Sequence, residues 1–280
     1  MGSIHRGIRD IQKAALYCLI VGMTFVILVP LLNMVATSFR PASAIYTETG
    51  LIPSTVSIEN YLTMFRRTAF VGQMVNSSVY TIAVIMLTIL LASFAGYGFS
   101  RYRGPVFSFL LYMLIVVLVF PLILLLIPMY MTFRLFNLIN TRTAIILAYL
   151  AFQLPFSIWM LRGFFDTIPR ELEEAGLIDG CTQVQALFRI ILPISRPGLA
   201  TVAIFCFIRV WNEFMMASVI VPNPEITTIM VGLQTFIQQT TVEWGRLLAA
   251  AAFAAVPAFL FIMFAQKHLV QGITSGAVKS

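Results

Sequence analysis

Long uncharged stretches constrain this chain more than any other feature of its sequence. A helix that crosses the roughly 30 Å hydrocarbon core of a bilayer needs about 20 apolar residues. Six stretches of about that length occur, each bounded by charged or turn-forming residues. They predict membrane spans at residues 14–35, 75–97, 106–131, 143–161, 198–220 and 247–266. The predicted fold class is therefore all-α: a polytopic membrane protein whose residues 1–280 form one transmembrane domain with six helices.

The composition excludes a soluble globular protein. Hydrophobic residues make up 60% of the chain and charged residues 10%, whereas soluble domains carry about 25% charged residues. A net charge of +7 would suit a nucleic-acid-binding protein, but a membrane protein explains it better, because basic residues are retained on the cytoplasmic side. We therefore expect contact with membrane lipids and none with nucleic acid.

The distribution of lysine and arginine predicts the orientation of the chain. If both termini are cytoplasmic, eleven of these residues lie inside and six outside, with Arg209 left within the fifth span. Because basic loops favour the cytoplasmic side, we predict that both termini are cytoplasmic.

No pattern of residues indicates catalysis. The three cysteines have no paired spacing and the two histidines lie near opposite ends of the chain, so neither a disulfide framework nor a metal site is predicted. A phosphate-binding loop needs a Gly-Lys pair, and none of Lys13, Lys267 and Lys279 follows a glycine. We predict a chain that is not an enzyme, with no catalytic residue, no metal and no cofactor of its own.

Three prolines interrupt the predicted third and fourth spans. Pro121, Pro128 and Pro155 are expected to kink or break these helices, since proline lacks a backbone donor and clashes with the preceding turn. The polar backbone that is opened must be covered by protein or water. This pattern fits a pore wall, and it fits irregular helix packing equally well.

The connection between the fourth and fifth spans, residues 166–194, has the pattern of a compact helix–turn–helix outside the membrane. Pro169 suits the first turn of a helix, and the three glutamates that follow lie where the helix dipole favours negative charge. Gly180 is placed to end this helix in a left-handed conformation.

A second helix is predicted directly after that glycine. Thr182 followed by Gln185 is a capping-box pattern, and Pro193 is expected to stop the helix. From these signals alone, a solvated charged loop that merely reverses the chain explains the segment as well as a functional element does.

The same segment resembles the EAA loop of binding-protein-dependent ABC importer permeases. That pattern reads Glu-Ala-Ala, three residues, Gly, nine residues, then Ile-x-Leu-Pro, and the spacing here is identical. The one departure is Gly176 in place of alanine, which keeps a small side chain but lowers local helix stability by up to about 1 kcal/mol. The residues that carry the resemblance are Glu174, Ala175, Gly176, Asp179, Gly180, Leu192 and Pro193.

Shorter fragments are similar to the carbohydrate-uptake branch of that family, and to the smaller of the two membrane subunits in maltose-type importers. They are Ser38-Phe39-Arg40, Asn60-Tyr61, Asn76-Ser77, Gly96-Tyr97, Leu154-Pro155-Phe156, Trp211-Asn212-Glu213 and the ending from Gly272 to Lys279. The resemblance implies a type I ABC importer permease in a bacterial inner membrane. Such a chain forms half of the path for a sugar or sugar-like solute and works by alternating access.

The resemblance also implies partners and residue roles. The expected partners are a second permease subunit, an ABC ATPase dimer that uses ATP and Mg, and an extracytoplasmic solute-binding protein. The coupling helix would dock on the ATPase, with Ala175 or Gly176 permitting close approach and Glu174 offering a carboxylate to a basic group. A heterodimer of permeases is favoured over a homodimer.

Arg209 and Glu213 are four residues apart in the fifth span, hence on one helix face. Ionisable groups in a membrane interior are costly and point to function. These two residues and Asn212 are therefore candidates for the wall of the translocation path. The alternative is that Arg209 and Glu213 form a structural ion pair, with each other or with a neighbouring subunit.

Two other functions remain open at this stage. The solute is alternatively a polyol, a glycerol phosphate or another sugar conjugate. A stand-alone secondary transporter would need an inverted repeat or a carboxylate ion site near the membrane centre. Glu213 is the only candidate for such a carboxylate, and Arg209 nearby would neutralise it.

Overall fold

The computed structural model describes the backbone of residues 2–48, 50–238 and 241–277, with side chains for residues 12–265 apart from positions 49, 67, 239 and 240. The helices, in chain order, are α1 Gly2–Ser38, α2 Glu59–Arg67, α3 Phe70–Arg101, α4 Pro105–Val119, α5 Leu122–Leu135, α6 Arg142–Asp166, α7 Glu171–Ile178, α8 Gln183–Ile194, α9 Arg196–Trp211, α10 Met215–Ile220, α11 Ile229–Gln234 and α12 Trp244–Ala277. The β pairing in these ranges is limited to one isolated bridge, between Ile237 and Val242. The predicted all-α class is confirmed.

Four helical segments of the described chain are long and apolar enough to cross a membrane, and the count rises to six if each of two bent helix pairs is taken as one span. The four are Gln12–Ser38, Phe70–Arg101, Arg142–Asp166 and Trp244–Ala265. The predicted last span ends at Gln266, whose side chain lies outside the described residues, as do those of the fragment 272–279 and of both termini.

The predicted third span is not one continuous helix. Helices α4 and α5 meet at 104°, and Pro121 stands at the junction as the N-cap residue of α5. Proline holds the preceding residue in extended backbone, and Phe120 accordingly has ψ 130. Pro128 and Pro155 lie inside α5 and α6, and neither of these helices is broken there.

The predicted fifth span is also interrupted. Helix α9 ends at Trp211 and α10 begins at Met215, so the path candidates Asn212 and Glu213 lie in the non-helical junction. A hydropathy pattern does not reveal such a break, because the apolar character continues on both sides of the junction.

The chain divides into two compact units, residues 1–68 with 235–254 and residues 69–234 with 255–280. In the first unit, Nδ2 of Asn60 donates to the carbonyls of Ser38 at 2.9 Å and Arg40 at 2.8 Å. The hydroxyls of Ser38 and Tyr61 are 2.7 Å apart. The fragments Ser38-Phe39-Arg40 and Asn60-Tyr61, which carry part of the family resemblance, therefore form a single polar cluster.

Helices α3 and α6 form the centre of the second unit. A Cβ added to Gly96 of α3 would lie 3.1 Å from the backbone nitrogen of Arg162 in α6. Tyr80, Tyr149 and Ile220, from three different helices, are each at most 2% exposed and belong to one apolar cluster. Nearer the ends of α3 and α6 where the 166–194 loop is attached, Tyr97, Leu161 and Phe165 belong to a second buried apolar cluster.

Candidate functional site

The first helix of the 166–194 loop is closed by a Schellman motif. The N–H of Cys181 donates to the carbonyl of Gly176, and the N–H of Gly180 donates to that of Leu177, both at 3.0 Å. Gly180 has φ +89, the left-handed backbone that this cap requires and that glycine adopts without strain. The predicted end of the helix at Gly180 is confirmed.

The second helix of the loop, α8, begins at Gln183, and the predicted capping box is present at its start. Oγ1 of Thr182 accepts from the N–H of Gln185 at 3.3 Å, and Oε1 of Gln185 accepts from the N–H of Thr182 at 2.9 Å. These two caps leave little backbone freedom between α7 and α8. The angle between the helices is therefore set by local hydrogen bonds.

Both prolines of the loop lie slightly off their predicted positions. Helix α7 begins at Glu171 with Arg170 as its N-cap residue, so Pro169 precedes the first turn. Helix α8 continues through Pro193 to Ile194. A π-helical turn at Leu187–Ile191 widens the helix just before Pro193, which gives the proline ring the room that a regular α-helical turn denies it. The chain then bends by 80° into α9.

Of the two small residues expected to permit close approach of a partner, Gly176 faces the interior of the loop. It is buried, and an added Cβ would lie 2.4 Å from Cδ1 of Ile190 in α8. The small residue thus permits α8 to pack on α7. Ala175, beside it, is exposed and keeps the outward position.

A buried ion pair attaches α7 to the end of α3. Oε2 of Glu173 lies 2.6 Å from Nε of Arg101, and their side chains are 10% and 9% exposed. The hydroxyl of Tyr97 donates to the other carboxylate oxygen of Glu173. Sequence analysis missed Glu173, because three glutamates share one helical turn and nothing in the pattern marks the one that is buried.

Further hydrogen bonds join the loop to the same helix ends. The hydroxyl of Ser100 donates to Oδ1 of Asp166 at 2.6 Å, and the guanidinium of Arg170 donates to the carbonyls of Ser100 and Arg101 at 3.3 Å and 3.2 Å. The hydroxyl of Tyr102 donates to Gln183 at 2.8 Å. Helices α3, α6, α7 and α8 are thereby held as one body at this end of the unit.

The outward face of the loop is apolar with acidic groups. Ile178 is 86% exposed, and Leu172 and Val184 are 46% and 55% exposed. Glu174 and Asp179 are exposed on the same loop. A surface of exposed apolar and acidic side chains fits contact with another protein.

Glu213 and Arg209, the candidates for the path, do not pair with each other. Oε2 of Glu213 accepts from the Tyr149 hydroxyl at 2.9 Å and from the N–H of Ala217 at 3.1 Å. Its Oε1 accepts from the N–H of Met216 at 2.7 Å. Glu213 therefore caps α10 and ties it to α6.

Arg209 instead stacks on an aromatic ring, with its guanidinium carbon 5.0 Å from the centroid of Phe156. Arg209, Asn212 and Glu213 all line one cavity of about 530 Å³, together with Tyr149 and Gln153 of α6. The structure thus brings the three predicted path residues to one cavity wall. Among the side chains described, clusters of His, Cys, Asp and Glu able to hold a metal are absent.

At the other end of α3, polar side chains hold the segment 222–229. Nδ2 of Asn76 donates to the carbonyl of Glu225 at 2.8 Å. The hydroxyl of Ser77 accepts from the N–H of Ile229, also at 2.8 Å. The family fragment Asn76-Ser77 therefore has a structural role, which is to fix this segment on α3.

A family model described as "Binding-protein-dependent transport system inner membrane component" matches residues 88–275. The match includes the 166–194 loop and the wall of the cavity. The chain belongs to this family. It is a multi-pass membrane permease of a transport system that operates with a binding protein.

Relatives of the permease cover most of its length. The trehalose transport system permease protein SugB of Mycobacterium tuberculosis is 33% identical over 95% of this chain and 96% of its own. The sulfoquinovosyl glycerol transport system permease protein SmoH of Agrobacterium fabrum is 35% identical over 81% of this chain and 80% of its own. Both relatives are transport system permeases by name.

The fold of the permease matches a solved structure. A bacterial ABC transporter involved in the import of the acidic polysaccharide alginate superposes with a TM-score of 0.81 at 21% identity, over 93% of this chain and 97% of the other. This similarity establishes the type I importer permease architecture that the sequence resemblance implied.

Proposed function

We propose that the permease forms half of the translocation path of an ATP-driven importer and that its 166–194 loop couples this path to a separate ATPase. The Arg101–Glu173 ion pair carries the proposal. Because α7 is tied to the end of α3 by a buried charge pair, a displacement of α7 moves α3 and α6 with it. A loop that only reversed the chain would need no such attachment.

The outward face of the loop is the docking surface in this proposal. Exposed Leu172, Ile178 and Val184 offer apolar contact to a groove of the ATPase, and Glu174 offers a carboxylate to a basic group there. ATP and Mg bind to the ATPase dimer and not to the permease. Both termini and this loop then lie on the cytoplasmic side.

Movement of the loop reaches the cavity through α8 and α9. Helix α8 leads by an 80° bend into α9, and α9 carries Arg209 at the cavity wall. Closure of the ATPase dimer would rotate these helices as rigid bodies and expose the cavity to one side of the membrane and then to the other.

Two further partners complete the proposed importer. A single permease supplies one wall of the path, so a second permease subunit, in a heterodimer, supplies the other. The segment 222–229 is held on α3 at the end away from the loop, and it would face an extracytoplasmic solute-binding protein.

We propose a sugar or sugar conjugate as the solute. The support is the solutes for which two relatives are named, trehalose for SugB and sulfoquinovosyl glycerol for SmoH. A polyol or a glycerol phosphate is the alternative within the same class of importer. A stand-alone secondary transporter is disfavoured, because Glu213, the candidate carboxylate for an ion site, has a structural role as the cap of α10 and the partner of Tyr149.

The test is purification of the tagged permease in mild detergent, with co-purifying proteins identified by mass spectrometry, followed by uptake assays in proteoliposomes. We expect a P-loop ATPase and a second permease, and sugar uptake that requires ATP. A permease that purifies alone and transports without ATP would contradict the proposal.

A further inference from the structure

Arg209 is a cation in the cavity wall without an anionic partner. Among the described residues, no carboxylate forms an ion pair with it, and its contact is the face of Phe156 at 5.0 Å. An arginine in a membrane interior is costly. Ionisable groups kept within membrane spans mark solute or ion paths, so this exposed cation is a candidate to bind an anionic group of the solute.

The nearest acid does not supply that counter-charge. Glu213 lines the same cavity, but its two oxygens accept from Tyr149 and from the backbone of Met216 and Ala217. The donors of the helix end and the tyrosine therefore compensate its charge. The guanidinium of Arg209 keeps its N–H groups available to a ligand.

A second unpartnered group lines the same cavity on a different helix. Gln153 of α6 is 5% exposed, and its Oε1 is buried with no hydrogen-bond partner among the described residues. A buried polar atom without a partner is costly. A sugar hydroxyl would satisfy it by donating a hydrogen bond, whereas an apolar ligand or a simple anion would not.

We propose that Arg209 and Gln153 form a subsite for an acidic sugar derivative. Arg209 binds the carboxylate, sulfonate or phosphate through charge-assisted hydrogen bonds, and Gln153 accepts from a hydroxyl of the same solute. The cavity of about 530 Å³ is within the usual size range of small-molecule sites. This inference rests on the proposed function and narrows its solute class.

The experiment uses the complete importer. The solute is first identified by thermal shift of the partner binding protein against a panel of matched probes, such as cellobiuronate with cellobiose and glucuronosyl glycerol with glucosyl glycerol. Uptake and ATP hydrolysis are then measured in proteoliposomes for R209Q, R209K and Q153L. Arg134 of α5 is an exposed arginine outside the cavity, so R134Q is the matched control.

We expect the binding protein to prefer the acidic member of a pair. R209Q should lower uptake roughly tenfold to a hundredfold, which is the range for loss of a charge-assisted hydrogen bond. R209K should retain part of the uptake, Q153L should lower it less, and R134Q should leave it unchanged. ATPase stimulation by the loaded binding protein should persist in R209Q, so that less solute moves per ATP.

Three results would overturn the proposal. A neutral solute whose ATP-dependent uptake is insensitive to R209Q leaves the importer intact and removes the subsite. Loss of assembly with the second permease in R209Q, by size-exclusion chromatography, assigns Arg209 to an ion pair between subunits. If no probe binds and no sugar is taken up with ATP, the proposed function fails and the subsite fails with it.

Discussion

The guanidinium of Arg101 and the carboxylate of Glu173 meet at 2.6 Å between the end of α3 and the first turn of α7. Removal of one member of such a buried pair strands the other charge, at a cost of about 3–5 kcal/mol. We expect E173Q to lower the unfolding temperature of the permease and to reduce ATP-dependent uptake at least roughly tenfold. Thermal unfolding and uptake measured on the same preparations would check both effects.

Glu174 is the matched control for that experiment, since it is the exposed neighbour of Glu173 on the same turn. E174Q should leave the unfolding temperature unchanged and weaken only attachment of the ATPase. If E173Q and E174Q have the same effects, the ion pair with Arg101 has no special part in coupling.

Gly180 tests the left-handed turn between the two loop helices. Its φ is +89 and an added Cβ would meet nothing within 4 Å, so a substitution there strains the backbone without a steric clash. A β-branched residue in this conformation costs about 1–3 kcal/mol. We expect G180V to insert in the membrane normally and to lose transport, as measured by cell fractionation and uptake.

Asparagine tolerates left-handed backbone better than other residues with a side chain. G180N should therefore keep most of the transport that G180V loses. Equal loss in both variants would show that the side chain itself, and not the backbone conformation, disturbs the loop.

Gly176 and Ile190 test the packing of α8 on α7. A Cβ at Gly176 would lie 2.4 Å from Cδ1 of Ile190, and I190V removes that methyl group. I190V alone is expected to lower the unfolding free energy by about 0.5–1.5 kcal/mol. In the double variant the new alanine fills the space and adds up to about 1 kcal/mol of helix propensity.

We therefore expect G176A/I190V to lose less unfolding free energy than the sum of the losses in G176A and I190V, as measured in a double-mutant cycle. Strictly additive effects would mean that the two positions are not in contact in solution.

Asn76 tests the attachment of the segment 222–229. Its amide donates to the carbonyls of Glu225 and Thr227, and N76A would leave both without this donor, at about 1–3 kcal/mol. We expect weaker stimulation of ATP hydrolysis by the binding protein with unchanged basal hydrolysis.

Ser78 is the matched control for Asn76. Its hydroxyl donates to the carbonyl of Met74 in its own helix, so S78A should behave as the parent does. Normal stimulation in N76A would separate this segment from binding-protein contact.

Local signals in the sequence predicted the long helices and the caps of the 166–194 loop. Apolar run length predicted the helices, and the caps at Gly180 and Thr182 were predicted because they depend on residues only a few positions apart. The break at Pro121 was predicted as one of three possible sites, since proline alone does not determine whether neighbouring helices let a span continue.

Contacts between distant residues were not predictable in the same way. Glu173 and Arg101 are separated by 72 residues, and the choice among three glutamates depends on how α7 is rotated against α3. The inward position of Gly176 follows from the same rotation. The apolar pattern also gave no sign that helix α9 ends at Trp211, because apolar residues continue on both sides of that position.

The turn from Asp179 to Thr182 contains no spare residue. Asp179, Gly180 and Cys181 complete the cap of α7, and Thr182 already belongs to the cap of α8. One inserted or deleted residue would break the hydrogen bonds of one of these caps and shift α8 relative to α7, which carries Ile190 away from Gly176. The length of this turn therefore sets the packing of the two loop helices as strictly as the glycine at position 180 sets its backbone, and we expect an inserted residue here to abolish transport as G180V does.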